Sequence, residues 1–346
     1  MITKPSHLTK KPTIYDIAKL AGTSGSTVSA VLNGTWKKRR ISVKIADHIF
    51  QIADQQGYAL NMQASTLRRE KSGIIGMIVP MYDNRYFSSI AQNFENMARQ
   101  RGLFPIVTST RRDPSLEMEA ARAMLSYQVE SLVCTGATDP DRISDLCIAS
   151  GVKTFNLDLP GQKAPSVISN NFEGALSLTR SILKQCLKDK VIPSPLLFVG
   201  GRASDHNTRE RIRGFIAAHQ EANIPIKDEY ILTCGYAAEK SAEILRVYTQ
   251  TMPHMPPGMF VNSTITLEGV MRWSSNEGNK QLQGVKLGCF DWDPFAELLS
   301  EHIIMIRQDV PIMLKRLFEL IDSKSETIET IEVMPIMDTV QGVAQY

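Results

Sequence analysis

Residues 13–34 read TIYDIAKLAGTSGSTVSAVLNG, and the order of caps and apolar positions in this stretch decides how the chain begins. Thr13 can cap a helix, with Asp16 three residues on as a weaker relative of the reciprocal capping box, and Ile14, Ile17, Ala18 and Ala21 share one face. Gly22 ends that helix. Ser24 caps a second short one, in which Val28, Val31 and Leu32 turn inward and Asn33-Gly34 form the stop. After the basic run WKKRR (36–40), Ser42 caps a third helix running to about Gln56, with Ile45, Ile49, Ile52 and Ala53 at helical spacing and Gly57 as its punctuation.

Three short helices of this kind form a compact unit over residues 12–58. The tight turn between the first two is a helix-turn-helix arrangement, which lays its second helix in the DNA major groove. Any small three-helix bundle shares that spacing, so charge has to separate the two readings. The chain of 346 residues carries 39 Lys+Arg against 36 Asp+Glu, a formal +3. Residues 1–72 hold 12 of the basic and 4 of the acidic residues, which leaves them at +8 and the remainder at −5. A basic module beside an acidic body fits phosphate neutralisation by the module alone; a charged tail is the plainer alternative. Residues 1–11, with Lys and Pro and little apolar content, are expected to be disordered.

From Gly73 the pattern becomes α/β. Strand-length apolar runs (GIIGMIVP, FPIVTST, SLVCTG, KTFNLD, then PLLFVGG, EYILTC, GMFVNS, VKLGCFD) alternate with amphipathic stretches such as YFSSIAQNFENMARQRG. One helix between successive strands implies parallel sheets covered on both faces. The runs fall into two groups of four, divided near 160–190, which predicts two doubly wound subdomains with a cleft between them over 73–346. Residues 59–72, ALNMQASTLRREKS, suit a short, marginally stable helix that acts as a linker. The five cysteines are odd in number and have no C-x-x-C pair, so they read as buried thiols. No apolar run approaches the roughly 20 residues that span a bilayer, and MITKPSHLTKK has no apolar core for a secretory signal. A cytoplasmic protein is expected.

TIYDIAKLAGTSGSTVSAVLNG, the Ser42-capped helix, Tyr58 and ALNMQASTLR leading into GIIGMIVP resemble the DNA-binding end of the LacI/GalR family of bacterial repressors. LLFVGGRASDHNTRERIRGF, MFVNSTITLEGV, LGCFDWDPFAELL and IRQD resemble, in order, that family's sugar-binding core, which is like a periplasmic binding protein. The extended turn WKKRRIS looks most like the branch of fructose (catabolite repressor/activator) and sucrose repressors. The resemblance spans roughly residues 12–340 and implies a homodimeric regulator that binds a near-palindromic operator in double-stranded DNA.

By position in the family, Gly25, Ser26 and Ala30 occupy the main base-reading places. Thr13, Tyr15, Ser24, Ser29 and Ser42 lie near phosphates, and Thr27 and Asn33 complete the candidate interface. The three reading positions are small and cannot fork onto a base edge, a contact worth about 1–3 kcal/mol. The resemblance supplies a second source of specificity: the linker folds into a hinge helix on DNA, and Leu67, with Asn61 and Ala64 on the same side, wedges into the minor groove. The family's frequent Pro is replaced by Leu60, so the start of that helix is less sharply fixed.

Parallel sheets place ligands beyond the carboxyl ends of their strands. There the chain carries Asp83-Asn84-Arg85-Tyr86-Phe87, Asp158, Asn170-Asn171, Arg202 to Arg211, Tyr236, Asn262-Ser263 and Asp291-Trp292. By position in the family Arg211 holds the effector, Asp291 stands opposite, Tyr236 stacks, and Asp158 and Ser263 add polar contacts. Arg209 and Arg85 are further candidates beside Asp83. With Arg211 they favour a sugar phosphate or sugar acid over a neutral sugar, although Asp83, Asp158 and Asp291 bring negative charge to the same rim. No metal or cofactor is called for. Phosphate-loop, dinucleotide, zincin and nucleophile-elbow motifs are absent, which weighs against an α/β enzyme. A transport-type sugar-binding protein would need an export signal and no basic three-helix head. The stretch TIEVMPIMDTVQGVAQY has no leucine heptads, so a dimer is expected rather than a tetramer.

Overall fold

The computed structural model describes residues 12–58, 72–188, 194–252, 254–299, 303–323 and 327–338. The chain forms two compact units divided between Ser72 and Gly73.

In the first unit, α1 (Ile14–Leu20), α2 (Gly25–Leu32) and α3 (Val43–Gln55) begin at Thr13, Ser24 and Ser42, each accepting a backbone N–H from its helix. The α1 capping box is complete: Thr13 N–H donates to Asp16 Oδ2 (2.8 Å) and Asp16 N–H to Thr13 Oγ1 (3.4 Å), a fuller cap than the sequence promised. Ile17, Val28, Val31, Ala46, Ile49 and Ile52 form the small core, with Ile14, Trp36, Ile41 and Tyr58 packed on its edge. Ile45, expected inside, is 45% exposed. Ala46 takes its place, because the other helices cover that side of the α3 stripe.

The second unit has two lobes, each built on a six-stranded sheet. Lobe 1 contains β1 (Ile74–Val79), β2 (Phe104–Ser109), β3 (Ser131–Thr135), β4 (Lys153–Leu157), β5 (Ser166–Ser169) and β11 (Thr330–Val333), in the order β11-β5-β4-β3-β1-β2. Lobe 2 contains β6 (Leu197–Val199), β7 (Ile231–Leu232), β8 (Gly258–Val261), β9 (Lys286–Phe290), β10 (Ile303–Arg307) and β12 (Ile336–Asp338), in the order β12-β10-β9-β8-β6-β7. All pairings are parallel except β12 on β10. Of the two further strands per sheet, β5, β11 and β12 escape a reading by apolar runs because they are three or four residues long and mix polar with apolar positions; β10, the five-residue run IIMIR, is apolar and was passed over.

The helices are α4 (Arg85–Gln100), α5 (Pro114–Ser126), α6 (Pro140–Ala149), α7 (Asn171–Lys188), α8 (His206–Glu221), α9 (Ala238–Thr251), α10 (Thr264–Trp273), α11 (Asn279–Leu282) and α12 (Val310–Asp322). Their strands carry the buried Val, Ile, Leu and Phe expected of sheets covered on both faces. The chain passes between lobes three times: from β5 into α7, which packs on β8, β9 and β10; from β10 into α12, which packs on α4, β4 and β5; and from β11 to β12. Cys134, Cys147, Cys186 and Cys289 are buried free thiols and Cys234 is partly exposed. Among the described residues no helix is long and apolar enough to cross a membrane.

Candidate functional site

The head and the cleft are separate candidate sites. In the head, Tyr15 is 77% exposed, and its ring lies 3.6 Å from the place a Cβ would take on Gly25. Ser24 Oγ lies 2.8 Å from Ser26 Oγ and 2.9 Å from Thr27 Oγ1. Asn33 Nδ2 donates back to the Ser29 carbonyl (2.8 Å) and hydroxyl (3.1 Å), which closes α2. Thr13, Ser24, Ser26 and Ser42 are exposed at the helix starts. Ala30 corrects the expectation for it. At 3% exposure its methyl has no surface to offer a base, because the chain folds back over it with Thr35 N–H and Oγ1 both donating to its carbonyl. The hinge residues Asn61, Ala64 and Leu67 lie outside the described residues, as do 1–11.

In the second unit, one pocket between the lobes is lined by Asn84, Tyr86, Phe87, Arg112 and Asp158 from lobe 1 and by Asn207, Arg211, Tyr236, Ser263, Asp291 and Gln308 from lobe 2 and its crossover. Five of the eight expected effector residues therefore meet: Asp158, Arg211, Tyr236, Ser263 and Asp291. Arg211, 3% exposed, is held by Asn171 Oδ1 (2.8 Å from Nε) and the Asn262 carbonyl (2.5 Å from Nη1), and its guanidinium lies 3.7 Å over the Phe290 ring. Asp158 Oδ1 accepts from Tyr86 Oη (3.0 Å) and Asn207 Nδ2 (3.1 Å), and Asp291 Oδ1 from Gln308 Nε2 (2.6 Å). Ser263 caps α10 through Thr266 N–H, and Tyr236 Oη lies 3.1 Å from Thr208 Oγ1.

Burial dominates the electrostatics. Desolvation pushes the Asp158 carboxyl up to about 6, with Arg112 and then Arg211 pulling the other way. Asp291 is raised by the same cause and opposed first by Arg211. Tyr236 is pushed up to about 12 by burial and stays a neutral donor. The free space among these side chains is about 30 Å³, less than a sugar occupies.

Three expected residues do not reach this pocket. Arg209 is exposed and donates to the Ser204 carbonyl (2.7 Å). Two residues from Arg211 on one helix, it points to the opposite side. Arg85 crosses the mouth of the cleft to Asp293 (3.3 Å) and, with the exposed Asp83, lines a second, shallower hollow of about 350 Å³. Arg112, Gln308 and Asn207 were missed. Arg112 sits in the turn after β2 with a left-handed φ of 56°, its guanidinium 4.8 Å from the Tyr236 ring and 5.4 Å from Phe87, and its Nε buried without a partner. The available signal was Arg111-Arg112 directly after FPIVTST, at the carboxyl end of a strand.

Residues 72–310 match the family described as periplasmic binding proteins and sugar binding domain of LacI family, and residues 13–61 match bacterial regulatory proteins, lacI family. The chain belongs to the LacI family. Its members join a DNA-binding head to a sugar-responsive core and act as transcriptional regulators, which are not enzymes. The chain is 61% identical over 193 residues to the ribitol operon repressor of Klebsiella aerogenes, covering 56% of this chain and 72% of that one. It is 26% identical over 302 residues to the sucrose operon repressor of Klebsiella pneumoniae, covering 87% and 88%. Among solved structures, the lac repressor dimer bound to operator and the anti-inducer ONPF has a TM-score of 0.77 at 20% identity, covering 95% of this chain and 98% of that one. The Cra transcriptional dual regulator from Pseudomonas putida in complex with fructose 1-phosphate has 0.68 at 19%, covering 77% and 98%. These likenesses establish that this LacI-family chain shares their fold.

Proposed function

We propose that this LacI-family regulator is a dimeric, cytoplasmic repressor of a polyol operon, and that a small neutral polyhydroxy compound in the cleft releases it from a near-palindromic operator. The effector is a pentitol or the ketose made by oxidising one. The observation that carries this is the charge balance of the pocket: the carboxylates Asp158 and Asp291 face the guanidinium groups Arg112 and Arg211. Alternating acceptors and donors suit hydroxyl groups, whereas a phosphate would meet two carboxylates in a buried space. Two of the three arginines that favoured a phosphate are engaged elsewhere, Arg85 with Asp293 and Arg209 with Ser204. The identity to the ribitol operon repressor supports the same class. Residues 59–72 serve as the hinge that links cleft to head, with Leu67 as its minor-groove wedge.

The test is a thermal-shift series on the full chain with ribitol, other pentitols, the matching ketoses and fructose 1-phosphate, followed by operator binding with each hit. A ligand at 100 times its Kd stabilises by about 2.7 kcal/mol, well within range of such a measurement. Neutral polyols or ketoses are expected to raise the melting temperature and release DNA. A response confined to phosphorylated compounds would sink the reading.

A further inference from the structure

The cations of the head are concentrated in one place. Of its six described Lys and Arg residues, Lys37, Lys38, Arg39, Arg40 and Lys44 fall between the end of α2 and the first turn of α3. All five are exposed, and none forms an ion pair among the described residues. In the second unit several exposed arginines are neutralised locally: Arg99, Arg180, Arg213, Arg272 and Arg316 each pair with a nearby glutamate, whereas Arg111, Arg122, Arg142 and Arg209 are scattered and form no ion pair among the described residues.

The turn that carries them is built, not loose. Thr35 N–H and Oγ1 tie its start to the Ala30 carbonyl, and Ile41 N–H closes it on the Trp36 carbonyl at 3.0 Å. Trp36 and Ile41 pack against the head's core, which anchors both ends. Lys37 Nζ lies 5.3 Å from the Trp36 ring centroid, and Arg40 holds a left-handed φ of 57°. Adjacent like charges repel, so a fixed turn that gathers four of them in sequence needs an external anion to offset it. The start of α3 lies just past the turn and carries no acidic residue in its first turn, so its positive dipole end adds to the attraction for a negative group.

We infer that the 37–40 turn is a clamp on the DNA backbone, taking consecutive phosphates beside the groove that α2 enters. It grips without reading sequence, so it supplies affinity that the small side chains of α2 do not. The inference rests on DNA binding by the head and assigns the main electrostatic contact to four residues of it.

The test compares the full chain with the variant Lys37→Gln/Lys38→Gln/Arg39→Gln/Arg40→Asn, in which Asn tolerates the left-handed backbone. Binding is measured across a range of salt concentrations, on sonicated genomic DNA and on an operator duplex selected from random sequences with the unaltered protein. Each phosphate contact contributes about 0.9 to the slope of log affinity against log salt, so with two heads per dimer the variant's slope is expected to be shallower by about 6 to 7. Both DNAs should weaken by the same factor. Arg39→Gln alone should make the slope shallower by about 2 per dimer, which guards against misfolding of the four-residue variant. A slope unchanged in both variants, or a loss confined to the operator, overturns the clamp. Failure of the unaltered protein to bind either DNA overturns the clamp and the DNA-binding head together.

Discussion

Asp158 and Asp291 stand at equivalent points of the two lobes: each directly follows the strand next but one to β1 or β6, and each has a left-handed φ, 73° and 78°. Aspartate is among the few residues that adopt this backbone readily, and the turn aims both carboxylates into the same cleft. Arg112 and Arg211 oppose the rise that burial gives both carboxyls.

Asp158 gives the cleft a pH dependence. Its carboxyl titrates near 3.8 when solvated and about 6 in the fold, so between these values the folded chain binds more protons than the unfolded one. Stability from this group therefore falls as pH rises through that window, by on the order of 3 kcal/mol in all. Asp158→Asn should gain on the natural protein progressively from pH 4 to 7 in urea or thermal unfolding. A gap that stays constant with pH would contradict the burial of an ionisable Asp158.

Arg211→Lys keeps the charge but loses the fork to Asn171 and the Asn262 carbonyl, and the flat stack on Phe290. Effector affinity should fall at least tenfold, about 1.4 kcal/mol or more, by calorimetry. Operator affinity without effector should stay within about threefold of the natural protein's, well under that loss. Normal effector affinity in this variant would remove Arg211 from the site.

Arg85→Ala breaks the only described contact between Arg85 and Asp293 at the cleft mouth, a half-exposed pair. Such pairs contribute about 1 kcal/mol or less, so stability and effector affinity should both change little. A loss of effector binding as large as that of Arg211→Lys would show that Arg85 touches the ligand after all.

Gly214 lies where α8 crosses α7. A Cβ there would strike the Phe172 carbonyl and stand 2.8 Å from Leu176 N, both backbone atoms that cannot swing aside. Gly214→Ala should destabilise the second unit by about 1–3 kcal/mol in chemical unfolding, despite the better helix propensity of alanine. A neutral or stabilised variant would show that the two helices can separate without cost.

The head was legible because its determinants are local. Thr13, Ser24 and Ser42 lie within three residues of the amides they cap, and the +8 of residues 1–72 needs no fold to be counted. Ala30 was the exception: its burial depends on Thr35 returning over it, a contact made by the turn and not by α2. In the cleft the strand-end rule located Asp158, Tyr236, Ser263 and Asp291, since a parallel sheet fixes where its carboxyl ends open. It could not separate Arg211 from Arg209 without the rotation of α8, nor find Arg112 and Gln308, whose importance comes from what faces them across the lobes.

The sequence by itself determined the family, the division between a basic head and an acidic body, and the alternation of strands and helices, because caps, charge and hydrophobic period act over a few residues. Only the tertiary structure decided which charges meet. It turned Arg85 toward Asp293 and Arg209 toward Ser204, and it set Arg112 and Arg211 against Asp158 and Asp291. The meetings across the cleft come from three passages of the chain between lobes, which bring together residues as distant as Arg85 and Asp293, 208 positions apart. Electrostatic energy depends on distance and burial in space, and neither is written along the chain.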